Sequence, residues 1–254
     1  MIAHNLNWIN EYYEHIKQQV LINEERNKKK SELLLGNNFF FYDYQTLKRL
    51  FEEVFVEQEY FFKSSKANPI IIDCGANIGM TSLYFHYLMP EAQLIAFEAN
   101  PFVYQLLQEN TKHLPSIQVY NAALNDVETS LPFYIGENIG SMVASFTNVG
   151  QNRAIMVKTQ KLSTYLQAIK DEVDLIKIDV EGAEHPIIKD LVETGMLHKV
   201  KEYIIEYHHY RDQEPRLGSF LQQFESVGFS YEIIQFKSIN QFQCIVLKFY
   251  KTNG

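Results

Sequence analysis

The residues best suited to chemistry in this sequence lie where an apolar run meets a glycine-containing loop. The segment reads IIIDCGANIGMTSLYF and spans 70–85. Gly75 and Gly79 allow the backbone to approach a ligand closely, and a helix that begins after Gly79 offers amide N–H groups to a polar ligand. Three residues separate these glycines, so the dinucleotide fingerprint G-x-G-x-x-G is not matched. The segment predicts a nucleotide-type cofactor site or, as the simpler alternative, an ordinary strand-to-helix turn.

A carboxylate at the end of the next apolar run strengthens the cofactor interpretation. Glu98 closes the run LIAFE, 23 residues after Gly75, where a carboxylate can accept hydrogen bonds from both hydroxyls of a ribose. Asn121 ends the run IQVYN and can reach the edge of an adenine, although a role in the turn explains it equally well. Asp73 at the end of a strand, followed by G-x-x-x-G, is typical of proteins that bind S-adenosylmethionine. The pattern therefore favours this cofactor over NAD.

From residue 69 onward the chain alternates short apolar strands with helical stretches, which is typical of an open α/β sheet. The predicted strands are 70–73, 94–98, 117–122, 175–179, 203–207, 229–236 and 243–249, with 131–135 and 155–160 as candidate extra strands. The predicted helices are 81–88, 102–113 and 186–194. Pro186 suits a first helical position and Gly195 the residue just past a helix end. The last two strands of the main sheet predict an antiparallel hairpin at its edge.

Residues 1–68 show a different pattern, which predicts an N-terminal helical cap on a main domain at 69–254. Apolar residues recur at helical intervals near the start, at Leu6, Ile9, Tyr13, Ile16 and Val20. A charged segment, 24–30, predicts a solvated helix face or turn. A strand-like run at 37–44 and a helical one at 47–62 follow. The apolar stripe packs on the main domain in this interpretation; a homodimer surface formed by the N-terminal helix is the alternative.

Composition and charge exclude several classes of protein. The chain has 254 residues, 46% of them apolar and 21% charged, as expected for a globular protein. The formal net charge of −8 argues against a nucleic-acid partner. No apolar run approaches the roughly 20 residues of a membrane span, and no secretory signal is recognisable. Cys74 and Cys244 provide no disulfide framework. We therefore expect a cytoplasmic protein without a membrane span.

Several motifs in the same order make the sequence similar to a known family. The segments IIDCGANIGMTSLYF, AFEANP, VYNAAL, LIKIDVEGAEHPIIKDL and YIIEYH resemble the FkbM-type family of S-adenosylmethionine-dependent methyltransferases over about residues 69–208. The resemblance implies the class I methyltransferase (Rossmann-like) fold, an α/β architecture with a mostly parallel seven-stranded sheet whose last strand is antiparallel. It also implies methyl transfer to a hydroxyl oxygen. Cys74 stands where a small apolar residue is more usual, which we expect to affect packing only.

The resemblance further implies roles for individual residues. The methionine end of the cofactor is expected at Asp73, Gly75, Asn77 and Gly79, and its ribose at Glu98. The motif DVEGAE contributes Asp179, Glu181 and Glu184. Because ligands of open α/β sheets bind beyond the carboxyl ends of the strands, we expect Asp179 to contact the cofactor and to lie in the active site. Glu184 as a helix cap and Glu206 as a buried structural acid remain alternatives.

Methyl transfer to a hydroxyl requires a group that accepts its proton. His208 is the first candidate, because an ordinary histidine titrates near pH 6.5; Asp179 is the second, and Glu206 completes the expected catalytic set. These three side chains would also offer oxygen and nitrogen ligands to Mg²⁺ or Mn²⁺. We expect a site without metal, with Mg²⁺ as the less favoured alternative.

The sequence thus predicts an O-methyltransferase that acts on a hydroxyl of a sugar, glycan or secondary metabolite. A nucleotide-dependent oxidoreductase is an alternative, since the same strand, loop and acid could hold another nucleotide. A non-catalytic binding module that keeps the fold is a further alternative.

Overall fold

The computed structural model describes residues 6–23, 25–136, 144–145, 153–210, 214, 216–239 and 242–251. The helices are α1 (Leu6–Ile22), α2 (Tyr44–Phe51), α3 (Met80–Leu88), α4 (Pro101–Thr111), α5 (Leu162–Ala168), α6 (Glu184–Glu193) and α7 (Leu217–Glu225). The strands are β1 (Lys30–Leu34), β2 (Asn37–Phe41), β3 (Ile70–Cys74), β4 (Gln93–Glu98), β5 (Ile117–Asn121), β6 (Ala123–Leu124), β7 (Ser130–Ile135), β8 (Ala144–Ser145), β9 (Arg153–Gln160), β10 (Val173–Ile178), β11 (Val200–Tyr210), β12 (Phe229–Ile239) and β13 (Phe242–Lys251).

The main sheet has seven strands in the order β12-β13-β11-β10-β3-β4-β5. Neighbouring strands from β11 to β5 pair in parallel, whereas β13 is antiparallel to both β11 and β12. Every residue of β10 is buried, as expected for a central strand covered on both faces. The predicted parallel sheet with an antiparallel last strand and an edge hairpin is confirmed.

The start of one helix lies two residues earlier than the sequence predicts. Helix α6 begins at Glu184 rather than at Pro186. The Glu184 carboxylate accepts a hydrogen bond from the backbone N–H of Gly182, which stabilises the start of the helix. Proline is tolerated there because the first amide groups of a helix lack intrahelical acceptors. Gly195 does lie just past this helix with a φ of +68°. The candidate extra strands are also confirmed as β7 and β9.

The helical run predicted over 47–62 is shorter and less regular than expected. Helix α2 begins earlier, where the Asp43 side chain accepts a hydrogen bond from the backbone N–H of Thr46 at 2.8 Å. It ends at Phe51, and a π-helical turn covers Glu52–Val56. Residues 57–62 are not helical. We call residues 52–60 the strap, because this segment borders the cleft described below.

The N-terminal segment packs against the main sheet's helices rather than standing apart. Leu47, Phe51 and Phe55 belong to one buried cluster with Leu83 and Phe85 of α3. The apolar stripe of α1 also faces the chain itself, since Ile9 and Ile16 are buried, whereas the Leu6 side chain lies outside the described part. Residues 25–29 of the charged segment are exposed. None of the helices in the described ranges is both long and apolar enough to cross a membrane.

Candidate active site

A cleft opens where the strands β3, β4 and β10 end. Gly75 and Asn77 of the loop after β3, Glu98 at the end of β4 and Asp179 after β10 line it. The strap also contributes to the lining, through Tyr60 among others. The cleft therefore lies beyond the carboxyl ends of parallel strands, where open α/β sheets bind ligands.

The loop 75–79 has a backbone path that only glycine allows at its start. Gly75 has a φ of +81°, and a Cβ atom there would lie 1.7 Å from the carbonyl oxygen of Asp179. The N–H groups of Gly75 and Ala76 both donate to the carbonyl oxygen of Phe97, at 3.0 and 2.8 Å. The loop is thus held between β4 and β10, with its backbone exposed to the cleft.

Glu98 is held rigidly at the edge of this cleft. Its carboxylate accepts hydrogen bonds from the backbone N–H groups of Asn77 at 2.9 Å and Asn100 at 2.7 Å. Burial raises the pKa of Glu98 to about 7, although the two backbone hydrogen bonds oppose this rise. A carboxylate fixed in this way can accept further hydrogen bonds from ligand hydroxyls.

Three of the expected cofactor residues do not line the cleft. Asp73 is fully buried behind the loop, where Ser82 donates to it at 2.7 Å. Gly79, with a φ of +94°, packs closely against Leu107. Asn121 is exposed and donates its amide to the carbonyl oxygen of Glu98 at 2.8 Å, as the alternative turn role requires. Asp73 and Gly79 therefore shape the loop from behind, and an adenine contact of Asn121 remains only a prediction.

His208 is buried in β11 among carboxylates. Its Nδ1 atom lies 2.8 Å from Glu184, and its Nε2 atom lies 3.5 Å from Glu181 and 3.6 Å from Glu206. Burial alone would lower the pKa of His208, but the surrounding carboxylates outweigh it and raise this pKa well above the ordinary value. The surrounding carboxylates thus favour the protonated imidazole. This environment argues against our first candidate for the proton acceptor, which rested on an unperturbed histidine.

The carboxylates of the DVEGAE motif divide between the cleft and the interior. The side chains of Asp179 and Glu181 border the cleft, each 23% exposed, whereas Glu184 is buried beside His208. Burial raises the pKa of Glu181 to about 7. Glu206 is buried. Its pKa is raised mainly by this burial and, to a smaller extent, by the negative charge of Asp179. The Glu206 carboxylate accepts hydrogen bonds from Cys244 at 2.8 Å and from Tyr60 at 2.8 Å.

Sequence reasoning missed Lys177 and Tyr60. The Lys177 ammonium is buried in β10, donates to the carbonyl oxygen of Gly75 at 3.0 Å, and lies 3.4 Å from Asp73 and 3.5 Å from Asp179. A lysine within the apolar run LIKI was a usable signal, because lysine is seldom buried unless it is paired. Tyr60 follows an irregular helix end, where no spacing rule singles out one aromatic residue.

Two sets of side chains in the described ranges bring three metal-ligating atoms within 4.8 Å of one another. The first comprises Asp179, Glu181 and His208, and the second Glu206, His208 and Cys244. Asp179 and Glu181 border the cleft, whereas the second set is buried. Oxygen and nitrogen donors suit a divalent cation. The expectation of a site without metal remains a prediction.

The sheet order and the cleft define a class I methyltransferase fold. The family model described as "Methyltransferase FkbM domain" matches residues 73–231. The chain belongs to the FkbM methyltransferase family, whose members use S-adenosylmethionine, and it is an S-adenosylmethionine-dependent methyltransferase. The resemblance seen in the sequence is confirmed.

Curated relatives carry methyltransferase names. Methyltransferase sdnD of Sordaria araneosa is 25% identical over 206 residues, which cover 68% of this chain and 79% of that protein. The 2-O-methyltransferase NoeI of Sinorhizobium fredii is 28% identical over 165 residues, covering 59% and 66%. The 31-O-demethyl-FK506 methyltransferase FkbM of Streptomyces tacrolimicus is 24% identical over 216 residues, covering 71% and 81%.

Proposed function

We propose that this protein transfers the methyl group of S-adenosylmethionine to a hydroxyl oxygen of a sugar, glycan or secondary metabolite. One observation carries the proposal: a single cleft is bordered by the glycine-containing loop after β3 with Glu98 and by the carboxylates Asp179 and Glu181. The first pair of features suits the cofactor, and the second suits a hydroxyl that must lose a proton.

The cofactor fits the part of the cleft formed by β3 and β4. In this arrangement the ribose hydroxyls donate to the Glu98 carboxylate, and the methionine end lies along the loop that contains Gly75 and Asn77. A cofactor held there would supply the methyl group to an acceptor bound beside Asp179 and Glu181, which line the same cleft. Holding a methyl donor and an acceptor in line can supply roughly 7–11 kcal/mol of the barrier, so orientation is the main contribution expected of the protein.

In the chemical step, the acceptor oxygen forms a bond to the methyl carbon while the carbon–sulfur bond breaks. The electron pair of that bond goes to sulfur and yields S-adenosylhomocysteine. The hydroxyl proton goes to Glu181, because a carboxylate whose pKa is raised to about 7 is a stronger base than an ordinary one. Asp179 orients the hydroxyl, and the buried His208 imidazolium balances the charge of the surrounding carboxylates.

Transfer to oxygen is supported by two relatives. One is named as a 2-O-methyltransferase and the other as acting on 31-O-demethyl-FK506. These names concern a hydroxyl oxygen in both proteins, which favours oxygen over nitrogen or carbon as the acceptor atom here. The loops and the N-terminal cap that surround the cleft are expected to select the acceptor.

Calorimetric titration with S-adenosylmethionine, S-adenosylhomocysteine and NADH tests the cofactor assignment. We expect the first two to bind in the micromolar range. Glu98→Ala should weaken this binding about tenfold to a few hundredfold, since a hydrogen bond to a charged group contributes about 1.5–3 kcal/mol. Binding of NADH alone would favour an oxidoreductase, and binding of none of the three would contradict the proposal.

Transfer of a tritiated methyl group to a panel of acceptors tests the reaction. The panel contains methyl hexopyranosides and 31-O-demethyl-FK506, together with a primary amine as the nitrogen acceptor. We expect an O-methyl ether as the product and a rate lowered about 100-fold or more by Glu181→Gln. A methylated amine as the sole product would overturn the assignment to oxygen. Repeating the reaction in EDTA, with and without added Mg²⁺, tests the expectation of a site without metal.

A further inference from the structure

The hydroxyl group of Tyr60 contacts two carboxylates, one of which lines the cleft. It lies 2.8 Å from Oε2 of Glu206, in β11, and 3.4 Å from Oδ2 of Asp179, after β10. The Lys177 ammonium lies 5.1 Å from the centre of the Tyr60 ring. Tyr60 is 3% exposed and still borders the cleft. One side chain from the N-terminal segment thus contacts both carboxylates and faces the ligand space.

The strap that carries Tyr60 is fixed by the edge of the main sheet. The Lys237 ammonium of β12 lies 3.3 Å from Glu53, 3.8 Å from Glu57 and 2.5 Å from Glu59. Glu53 also forms an ion pair with Arg49 at 3.0 Å. Tyr60 immediately follows these anchored residues, so the strap holds it in place.

We infer that Tyr60 is a positioning residue for methyl transfer, which fixes Glu206 and Asp179 through its hydroxyl group. This inference deepens the proposed function and rests on it, because it assigns a role at the same cleft. Tyr60 lies outside residues 73–231, which the family model matches. The N-terminal segment therefore supplies part of the reaction site.

The Tyr60 hydroxyl group has one proton to donate and lies near two carboxylates. Burial and the neighbouring carboxylates raise the pKa of Tyr60 well above its ordinary value, so the hydroxyl group keeps its proton and donates it. The shorter contact makes Glu206 its main acceptor. Without the hydroxyl group, Glu206 loses a donor to its ionised form, and a proton is expected to bind the Glu206 carboxylate more readily.

The other charged groups around Glu206 stay the same when Tyr60 is replaced with phenylalanine. The charged or titratable side chains that act on it are Asp179, Glu181, His208, Cys244, Glu53, Arg49, Lys177 and Lys237, in addition to Tyr60. Replacing tyrosine with phenylalanine changes none of these and removes one oxygen atom. Any change in the titration of Glu206 then follows from the lost hydrogen bond.

Titration of the Glu206 carboxyl group tests the inference without an acceptor. The protein, labelled with ¹³C at its glutamate carboxyl carbons and saturated with S-adenosylhomocysteine, is followed by NMR over pH, with Glu206→Gln to assign the signal. Tyr60→Phe should raise the pKa of Glu206 by about one unit, since a hydrogen bond to a charged group contributes about that much. An unchanged titration overturns the inference, whatever acceptor the enzyme uses.

Tyr44→Phe is the matched control. The Tyr44 hydroxyl group also donates to a partly buried carboxylate in the N-terminal segment, that of Glu32 at 2.5 Å, but it does not border the cleft. This variant should leave the Glu206 signal and the reaction unchanged. An equal effect of both variants would show a general loss of packing instead of a positioning role, and would contradict the inference.

Kinetics with the best acceptor of the panel provide the second measurement. Tyr60→Phe should lower kcat about 10-fold to 100-fold, while the affinity for S-adenosylhomocysteine stays within twofold. In a Glu206→Gln background the same change should lower kcat much less, because the coupling partner is already absent. A fall in cofactor affinity without any fall in kcat would overturn the inference.

Discussion

Gly75 lies where the loop after β3 contacts Asp179, the residue that follows β10. Its position combines a positive φ with a close contact, and these two constraints can be separated experimentally. Gly36, in the turn between β1 and β2, has the same φ of +81°, but a Cβ atom there would meet nothing within 4 Å. The Gly36→Ala variant therefore measures backbone strain alone, of about 1–2 kcal/mol.

We predict that Gly75→Ala abolishes measurable binding of S-adenosylhomocysteine. Its Cβ atom would lie 1.7 Å from the carbonyl oxygen of Asp179, so the loop and the end of β10 must move apart. Such overpacking adds about 1–3 kcal/mol to the strain. Calorimetry and urea denaturation check both effects, with Gly36→Ala expected to retain full binding. Equal behaviour of the two variants would show that the close contact has no importance.

We predict that cofactor affinity depends on pH through Glu98, the proposed ribose-binding residue. Ribose hydroxyls favour the ionised carboxylate, whereas burial raises the pKa of the free Glu98 to about 7. Below that pH, binding must first release a proton, so the affinity for S-adenosylhomocysteine should fall by up to about tenfold per pH unit. Above it, the affinity should be constant. Calorimetry between pH 5.5 and 8.5 checks this, and Glu98→Gln should remove the dependence; a wild-type affinity independent of pH would disprove it.

At the scale of elements, sequence patterns located the sheet but not the strap. Mostly apolar runs such as β10 and β3 identify central strands, because both faces of these strands are buried. The strap escaped prediction because the helical period continues past Phe51 while the backbone changes to a π-helical turn. Likewise, the pattern predicted His208 at a strand end, whereas it lies within β11. Two of the carboxylates that raise its pKa, Glu181 and Glu184, come from a different segment of the chain.

Lys237 of β12 contacts the strap, and we predict that it contributes more to stability than Lys248, which does not. Lys237→Met leaves the carboxylates of Glu53 and Glu59, which are 9% and 2% exposed, without their ammonium partner, and should lower stability by about 1–3 kcal/mol. Proton uptake limits this loss, because burial already raises the pKa of Glu59 to about 8. Lys248→Met, which removes a more exposed pair with Glu202 at 3.0 Å, should cost at most about 1 kcal/mol.

Urea denaturation together with the methyl-transfer assay measures this difference. Lys237→Met should also lower kcat, since it loosens the segment that carries Tyr60, whereas Lys248→Met should not. Retention of full stability and turnover in the Lys237 variant would show that the strap does not depend on this contact.

At the scale of the whole molecule, the N-terminal segment and the methyltransferase sheet share one hydrophobic cluster. Phe51 and Phe55 of the first segment pack in it with Leu83, Phe85 and Leu94 of the second. Separating the two segments would expose both sides of this cluster to water, at roughly 25 cal/mol per Å² of apolar surface. The division at residues 68 and 69 is therefore a division of sequence pattern, and we propose that the cap depends on the main domain for its stability.

The single tryptophan allows this coupling to be measured. Trp8 lies in α1, with its ring centre 5.6 Å from that of Phe55 and 6.0 Å from that of Tyr87 in α3, so its fluorescence reports the cap and its contact with the main domain. Far-ultraviolet circular dichroism reports all the helices and strands. We predict that the two signals follow the same urea transition, as cooperative unfolding of one unit requires. Loss of the Trp8 signal at a lower urea concentration would instead show that the cap unfolds alone, and it would predict that a chain of residues 69–254 remains folded.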